Sequence, residues 1–215
     1  MGSFKKGLMG GFSGKVGNLV GASWKSIDYM KSLPRKTSKA ASGKQQMQQL
    51  RFALAVDFIR PISALVTQGY QSEAKAKVTG YNVAVSQVLR DAIGGTFPNY
   101  HIDYSKVKIS RGTLPRGTNF VAQSKQSNTI DLTWKDNTAD EKLAHTDDEL
   151  MLLIFNPAKN RYIFQDDVAK RGDGHLLREV PTDFSGDMVH VYAAFVSRDQ
   201  DSVSDSMYLG EVLIF

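Results

Sequence analysis

The stretch MVHVYAAFVS, residues 188–197, decides the fold of this 215-residue chain, together with SMYLGEV at 206–212, which follows a Ser- and Asp-rich loop. Both segments are short, rich in β-branched and aromatic residues and bounded by turn residues, as is typical of β-strands. The two strands are predicted at 187–196 and 206–215. Similar upstream stretches predict further strands at 105–110, 118–124, 128–134, 149–155, 160–164 and 175–179.

Short strands at this spacing, separated by Gly-, Pro-, Asn- and Asp-rich turns, are typical of a β-sandwich. Trp134 lies late in one of the early strands, which suits an immunoglobulin-like or fibronectin type III-like sandwich. We therefore predict an α+β protein with three segments. They are an N-terminal extended arm or β-hairpin at 1–41, a two-helix middle at 42–103 and the sandwich at 104–215.

The middle segment has helical rather than alternating periodicity. Apolar residues at i, i+3, i+4 spacing predict a first helix that begins after Ser42, kinks or restarts at Pro61 and ends at Gly69. A second helix is predicted over 73–93, with the glycine pair at 94–95 as its terminator.

Charge is distributed unevenly along the chain. The first 51 residues hold ten basic side chains and one acidic side chain, a net charge of +9. The remaining 164 residues hold 17 basic and 21 acidic side chains, a net charge of −4. The arm is therefore expected to lie on something acidic, either a nucleic acid or a neighbouring copy of this protein.

The apolar residues of the arm recur every four positions. They are Phe4, Leu8, Phe12, Val16, Val20 and Trp24. On a helix they would drift by about 40° per step, and each interior glycine would cost about 1 kcal/mol. On an extended chain all six would share one face, because all six are even-numbered. We favour the extended chain, with the helix as the alternative.

The second half of the arm predicts a hairpin. Two strand-like runs, 16–24 and 27–33, flank a short polar turn, and a two-residue loop would pair Trp24 with Ile27 and Ala22 with Tyr29. A lone two-stranded hairpin is only marginally stable in water, so it is expected to dock on its own body or on a neighbour.

These segments resemble an uncharacterised family that is abundant in Bacteroidota. The resemblance is carried by GGFSGKVGNLVG at 10–21, by WK at 24–25, by YMKSLP at 29–34 and by QQMQQLRF at 45–52. DYS at 103–105 and LTW at 132–134 extend it into the β-rich region. The resemblance implies the same architecture: a Gly-Lys-Val-Gly hairpin, a Gln-rich helix start and a C-terminal β-sandwich. It implies no activity and no catalytic residues.

Motifs for catalysis are missing from the sequence. The chain has no cysteine, which excludes disulfides and thiolate chemistry. Gly14-Lys15 is no phosphate-binding loop, because Met9 replaces the required first glycine and Val16 replaces the Ser or Thr that would bind magnesium. The four histidines are isolated in sequence, and His190, between two valines, is expected to face solvent. We expect no enzyme activity, no cofactor and no metal.

Two further patterns have unremarkable interpretations. Acidic loops at 147–149, 166–167 and 199–205 could supply calcium ligands, but none has the order of an EF-hand, so solvated acidic turns are favoured. The Arg-Gly-Asp tripeptide at 171–173 is interpreted as a turn rather than an adhesion site.

Self-assembly is the function that the sequence favours. A glycine-rich, sticky strand can add to the sheet edge of a neighbour and build a homo-oligomer: a filament, a tube or a ring. The predicted interface residues are Phe12, Gly14, Val16, Gly17, Val20 and Trp24. The predicted electrostatic guides, which would also contact a nucleic acid, are Lys15, Lys25, Arg35 and Lys36.

Two alternatives remain open at this point. Basic residues interleaved with aromatics could bind nucleic acid. A sandwich that binds a ligand or carbohydrate would need an exposed aromatic platform, for which Tyr100, Trp134 and Tyr162 are candidates. The sequence shows no membrane-spanning segment and no secretory signal, so a cytoplasmic protein, or one released without a signal peptide, is expected.

Overall fold

The computed structural model describes residues 3–4, 10–24, 27–34, 40–74, 78–165 and 169–215. The chain divides into two compact units, Met1–Gly43 and Lys44–Phe215, and we call the second unit the body. Most of the regular structure in the described residues is β-sheet, accompanied by three α-helices.

The arm forms one antiparallel sheet whose strands follow each other in chain order. The strands are β1 Ser3–Phe4, β2 Phe12–Val16, β3 Leu19–Trp24 and β4 Ile27–Ser32. In the β3–β4 hairpin, Trp24 lies opposite Ile27 and Ala22 lies opposite Tyr29, which confirms the predicted register. The preference for an extended arm over a helix is also confirmed in its described residues.

A two-residue turn at Gly17-Asn18 divides what was predicted as one long strand. Gly17 has φ of +56°, in the left-handed region that favours glycine. Because Val16 pairs with Leu19 across the turn, the even-numbered residues of β2 share a face with the odd-numbered residues of β3. The expectation that the even-numbered apolar residues share one face is therefore wrong.

Three α-helices follow the arm. They are α1 Gly43–Ile59, α2 Ser63–Gly69 and α3 Gly80–Gln87, and α3 continues as a π-helical turn over Val88–Ala92. The break between α1 and α2 contains Pro61, which cannot donate a main-chain hydrogen bond, so the predicted interruption is confirmed.

The second helix is shorter than predicted. The amide of Asn82 donates to Oγ1 of Thr79 (3.3 Å), which caps α3 and sets its first residue at Gly80. The helical run ends at Ala92, one residue before the predicted end, but the glycine pair at 94–95 forms no cap. It lies in β5, Ile93–Thr96, which pairs with β6, Asn99–Ile102.

The remaining strands confirm seven of the eight predicted strands to within two residues. They are β7 Thr118–Gln123, β8 Thr129–Lys135, β9 Glu149–Asn156, β10 Arg161–Gln165, β11 His175–Glu179, β12 Met188–Val196 and β13 Met207–Leu213. They form a four-stranded sheet, β10-β9-β12-β13, and a three-stranded sheet, β11-β8-β7.

The strand predicted at 105–110 is wrong. Its first residues belong to a 3₁₀ turn, Tyr104–Lys106, whose start is fixed by Asp103, since Oδ1 of Asp103 accepts from the amide of Ser105 (3.2 Å). Farther along, the amide of Ile109 donates to the hydroxyl of Ser206 (3.0 Å). Side chains thus form the hydrogen bonds with main-chain groups of this segment that a neighbouring β-strand would otherwise form.

The four-stranded sheet is covered on both faces. Odd-numbered residues of β9 and even-numbered residues of β12 pack against the helices, in one apolar cluster. The opposite residues of the same strands pack against the three-stranded sheet, in a second cluster. Burial on both faces explains why β9 and β12 read as continuous apolar runs instead of alternating ones.

His190 of β12 faces the helix side of this sheet, and its predicted exposure to solvent is wrong. The residue is 6% exposed, and its Nδ1 lies 2.9 Å from the hydroxyl of Tyr208. The ring of Tyr104 lies against it, with 4.4 Å between the ring centroids. Burial lowers the pKa of His190, and the nearby Glu211 carboxylate partly opposes that shift. The imidazole is therefore part of a buried aromatic layer.

Candidate functional site

One face of the arm sheet combines aromatic and basic side chains. Lys15, Val20 and Lys31 lie side by side across β2, β3 and β4. Trp24 and Tyr29 belong to the same face, and they are 37% and 44% exposed. We call this surface the basic face. It presents positive charge beside two aromatic rings.

The opposite face, which we call the glycine face, has Gly14, Gly21 and Met30 side by side across the three strands. Gly21 is buried, and a Cβ atom there would overlap the carbonyl oxygen and the ring of Phe12. Glycine is thus required for the approach of strands within the arm itself. Val16, on this face, is half exposed.

The predicted interface residues are divided between these surfaces. Phe12, Gly14 and Val16 lie on the glycine face, Val20 and Trp24 lie on the basic face, and Gly17 forms the turn. The predicted guide Lys15 lies on the basic face, whereas Lys25, Arg35 and Lys36 lie outside the described residues.

Sequence reasoning missed the contribution of β4. All six of its residues are exposed, and Met30 is the most exposed large apolar residue of the described chain, at 66%. The predicted register already placed Tyr29 beside Ala22, which is enough to assign Tyr29 to a face. The Gly-Asn dipeptide at 17–18, a recognised hairpin turn, would have revealed the change of face.

In the body, a set of buried polar contacts surrounds Arg171, which has no exposed surface. Its Nε donates to Asp148 (2.9 Å), and its two terminal nitrogens donate to Oδ1 of Asn137 (2.8 Å) and to the carbonyl of Pro115 (2.9 Å). The guanidinium lies 4.1 Å above the ring of Phe195. Burial lowers the pKa of Arg171, while the Asp148 carboxylate opposes the shift.

This burial explains the Arg-Gly-Asp tripeptide. Residues 171–173 form a 3₁₀ turn, so the predicted turn is confirmed, and its arginine is a core residue. The Nε1 of Trp134 donates to the carbonyl of Arg171 (2.8 Å), which joins the turn to β8. A receptor that reads the arginine of such a tripeptide would find no guanidinium at the surface.

A polar cleft of about 210 Å³ lies beside α3. Arg90 pairs with Asp91 (3.0 Å), and Arg111 pairs with Glu73 (3.4 Å). The buried hydroxyl of Tyr70 donates to a main-chain carbonyl (3.1 Å), and burial raises its pKa. Both guanidinium groups that line the cleft therefore already have a carboxylate partner.

The acidic loops pair with arginines in the same way. Asp147 lies 3.3 Å from Arg198, and Asp205 lies 2.5 Å from Arg116. Across the described ranges, no group of three or more histidine, aspartate or glutamate residues is arranged to hold a metal ion. The acidic pair at 166–167 lies outside those ranges.

Trp134 and Tyr162 do not come together in the proposed aromatic platform, and the third candidate, Tyr100, lies in β6 opposite Gly95. Trp134 is buried between the two sheets of the body, whereas Tyr162 packs in the cluster on the helix side of the four-stranded sheet. The two rings therefore lie on opposite faces of one sheet. Separately, no helix in the described part of the chain is long and apolar enough to span a membrane.

Comparison with known proteins places the chain in a family. It matches the family of unknown function DUF6266 over residues 11–210 and belongs to that family. No curated protein matches it.

Two solved structures show weak likeness. One is the fn3 domain of the human collagen alpha-1(XX) chain, with 11% identity and a TM-score of 0.35, over 47% of this chain and 88% of that one. The other is a family 76 glycoside hydrolase from a bovine Bacteroides thetaiotaomicron strain, with 10% identity and a TM-score of 0.37. That match covers 47% of this chain and 21% of the hydrolase.

Proposed function

We propose that this protein is a non-enzymatic structural protein that assembles with copies of itself through its arm. The observation that carries the proposal is the exposure of large apolar side chains on both faces of the arm sheet. The exposed residues are Val16, Leu19 and Met30 on the glycine face and Trp24, Ile27 and Tyr29 on the basic face.

The arm sheet is a single layer. Its described strands form one sheet and supply no second layer to cover either face. A sheet usually becomes stable by burying one face against another layer. Covering six half-exposed apolar side chains would contribute about 5 to 9 kcal/mol before the cost of association. A neighbouring subunit is therefore a suitable source of the missing layer.

Charge supports a contact between the arm of one copy and the body of another. The first 51 residues carry +9, whereas the rest of the chain carries −4. Opposite charge of this kind steers association and selects orientation, and salt weakens it. A head-to-tail contact of this type builds a ring if the rotation closes and a filament if it does not.

Light scattering coupled to size-exclusion chromatography tests the proposal on the full chain. We expect a mass above that of one chain, which falls towards the monomer for Tyr29→Asp. The matched control is Leu177→Asp in β11, because Leu177 is 47% exposed and Tyr29 is 44% exposed. A wild-type chain that stays monomeric at every concentration, or equal effects of both variants, would refute assembly through the arm.

Nucleic-acid binding is the second candidate, and the basic face is the observation that favours it. Lys15 and Lys31 flank Val20, with Tyr29 and Trp24 on the same surface, which suits phosphate contacts beside stacking rings. Binding to a labelled single-stranded oligonucleotide should then weaken as salt rises. Affinity that is insensitive both to salt and to Lys31→Glu would eliminate this candidate.

We also propose that the two facing sheets of the body form an immunoglobulin-like or fibronectin type III-like β-sandwich. This assignment is supported by a three-stranded sheet that faces a four-stranded sheet, and by Trp134, which is buried between the two sheets. An experimental structure in which the inner faces of β8 and β12 do not meet would contradict this assignment.

A further inference from the structure

The outer edge of β4 carries main-chain groups without a ladder partner in the described sheet, where β4 pairs only with β3. The amide of Leu33 donates to the carbonyl of Asn18 (2.7 Å), so odd-numbered residues of this strand direct their amides towards β3. Because direction alternates in an antiparallel ladder, the amides and carbonyls of Asp28, Met30 and Ser32 point outwards. The edge therefore offers three residues for pairing.

Three of the usual protections against pairing are missing from this edge. Proteins commonly block an exposed edge with proline, with a bulge, with a very short strand or with charged side chains, and of these β4 has only the charges of Asp28 and Lys31. The six-residue strand β4 has no proline, and its ladder with β3 runs through six pairs without a shift of register. The first proline after it is Pro34, beyond the strand. The strand is thus open to a partner strand.

We propose that β4 pairs antiparallel with β4 of a second copy of this chain, about a two-fold axis that passes beside Met30. The inference rests on the proposed function, since it assigns one interface of the self-assembly. It joins two four-stranded arms into one eight-stranded sheet. Because each copy contributes the same strand, the contact is isologous and closes on itself.

The side chains of the strand are self-complementary in this register. Met30 lies opposite Met30 of the other copy, and Asp28 lies opposite Ser32, a hydrogen-bond acceptor opposite a donor. On the other face, Tyr29 lies opposite Lys31 and Ile27 lies opposite Leu33, a cation beside a ring and an apolar pair. All three outward-facing residues gain main-chain partners.

Other symmetric registers are less favourable. Pairing centred on Asp28 or on Lys31 places like charges directly opposite each other, which is destabilising. Pairing centred on Tyr29 sets Asp28 opposite Met30 and Lys31 opposite Ile27, and Ser32 loses its partner within the strand. The register centred on Met30 is therefore the one that the sequence of the strand selects.

A charge-reversal experiment on the full chain tests this pairing. Met30→Lys and Met30→Glu, each alone, place two like charges beside the axis, and we expect each to weaken association at least tenfold. An equimolar mixture places opposite charges there and should restore association to within about threefold of wild type. Sedimentation equilibrium measures all three. Leu19→Lys and Leu19→Glu are the controls, and their mixture should show no rescue, because Leu19 lies in β3 on the same face.

Cysteine cross-linking gives a second readout, because the chain has no native cysteine. Met30→Cys should form an intermolecular disulfide under mild oxidation, since the two introduced thiols face each other. Asp28→Cys is the control on the same face, because its two copies lie four residues apart in this register, about 13 Å, too far for a disulfide. Equal cross-linking at both positions would overturn the register.

The outcomes separate this inference from the proposed function. A wild-type chain that is monomeric throughout overturns both. A wild-type oligomer that both Met30 variants leave intact overturns the edge pairing and leaves assembly through the arm standing. Loss of association in both variants without rescue in their mixture also overturns the edge pairing, because opposite charges facing each other beside the axis should have restored it.

Discussion

The buried pair of Arg171 and Asp148 allows a sharp test of what stabilises the body. Both side chains are inaccessible to solvent, with 0% and 1% of their surface exposed. Asp148→Ala removes the carboxylate and leaves a guanidinium that is still buried and still charged. Breaking a buried pair in this way costs about 3 to 5 kcal/mol, because the remaining charge has lost both water and its partner.

The chain supplies a matched control for this substitution. Arg161 lies 2.7 Å from Asp183, and its guanidinium lies 5.3 Å from the ring centre of Phe184, so both the chemistry and the ring contact are repeated. Both partners in this pair are about half exposed. Asp183→Ala should therefore cost at most about 1 kcal/mol, because water replaces the lost partner.

Urea unfolding of the full chain, followed by circular dichroism, measures both changes, and a thermal scan should show a drop of about 6 to 20 °C for Asp148→Ala. The double variant Asp148→Ala with Arg171→Met should recover much of the loss, because an apolar side chain of similar length needs no partner. Equal losses for Asp148→Ala and Asp183→Ala, within 0.5 kcal/mol, would refute the argument from burial.

Three further predictions concern single residues. Gly21→Val should unfold the β2–β3 hairpin, because its Cβ would overlap Phe12, whereas Gly43→Ala, with open space around the new Cβ, should leave amide exchange of the arm unchanged. The pKa of His190 is lowered in the folded protein, so the unfolded chain binds a proton there more readily. The free energy of unfolding should therefore decrease as the pH is lowered below about 6.5. Urea titrations at several pH values should show a weaker pH dependence for His190→Phe. Gln87→Leu should lower the free energy of unfolding by about 1 to 3 kcal/mol in the same assay, because the buried side-chain amide forms hydrogen bonds with two main-chain groups in the segment after β6. A decrease of less than about 0.3 kcal/mol would contradict that role.

The sequence predicted those strands that are marked by their own composition and by the turn residues at their ends, wherever their partner strand lies in the chain. The register of β3 and β4 followed from a short turn between two apolar runs, and β11 was predicted with its observed bounds. The strand predicted at 105–110 failed because the hydroxyl of Ser206, almost a hundred residues away, binds a main-chain amide in that segment. No local pattern contains that information.

The placement of His190 failed for a related reason. Alternation with two valines indicates solvent exposure only when one face of a strand meets water. In β12 both faces are covered, one by the helices and one by the second sheet. Periodicity alone cannot show whether one or both faces of a sheet are covered by other layers. The face of β12 that carries the polar residue His190 was therefore predicted to be exposed to solvent.

The candidate site was half predicted, and its missing half changes how assembly could work. The glycine-rich strand was expected to add to the sheet edge of a neighbour, yet the glycine at position 21 is needed for the close approach of the arm's own β2. In the described sheet the arm already uses its inner strands for its own pairing, so a neighbour could pair at an edge, such as the outer edge of β4, or cover a face. An edge contact of the kind proposed is isologous and joins two copies, whereas a contact between arm and body is heterologous and can repeat. The edge contact joins subunits in pairs, and the contact between arm and body can join these pairs to one another. Both contacts are therefore needed to extend an assembly beyond a closed pair or a simple chain. Loss of the edge alone should then shorten or narrow the assembly without returning it to monomers.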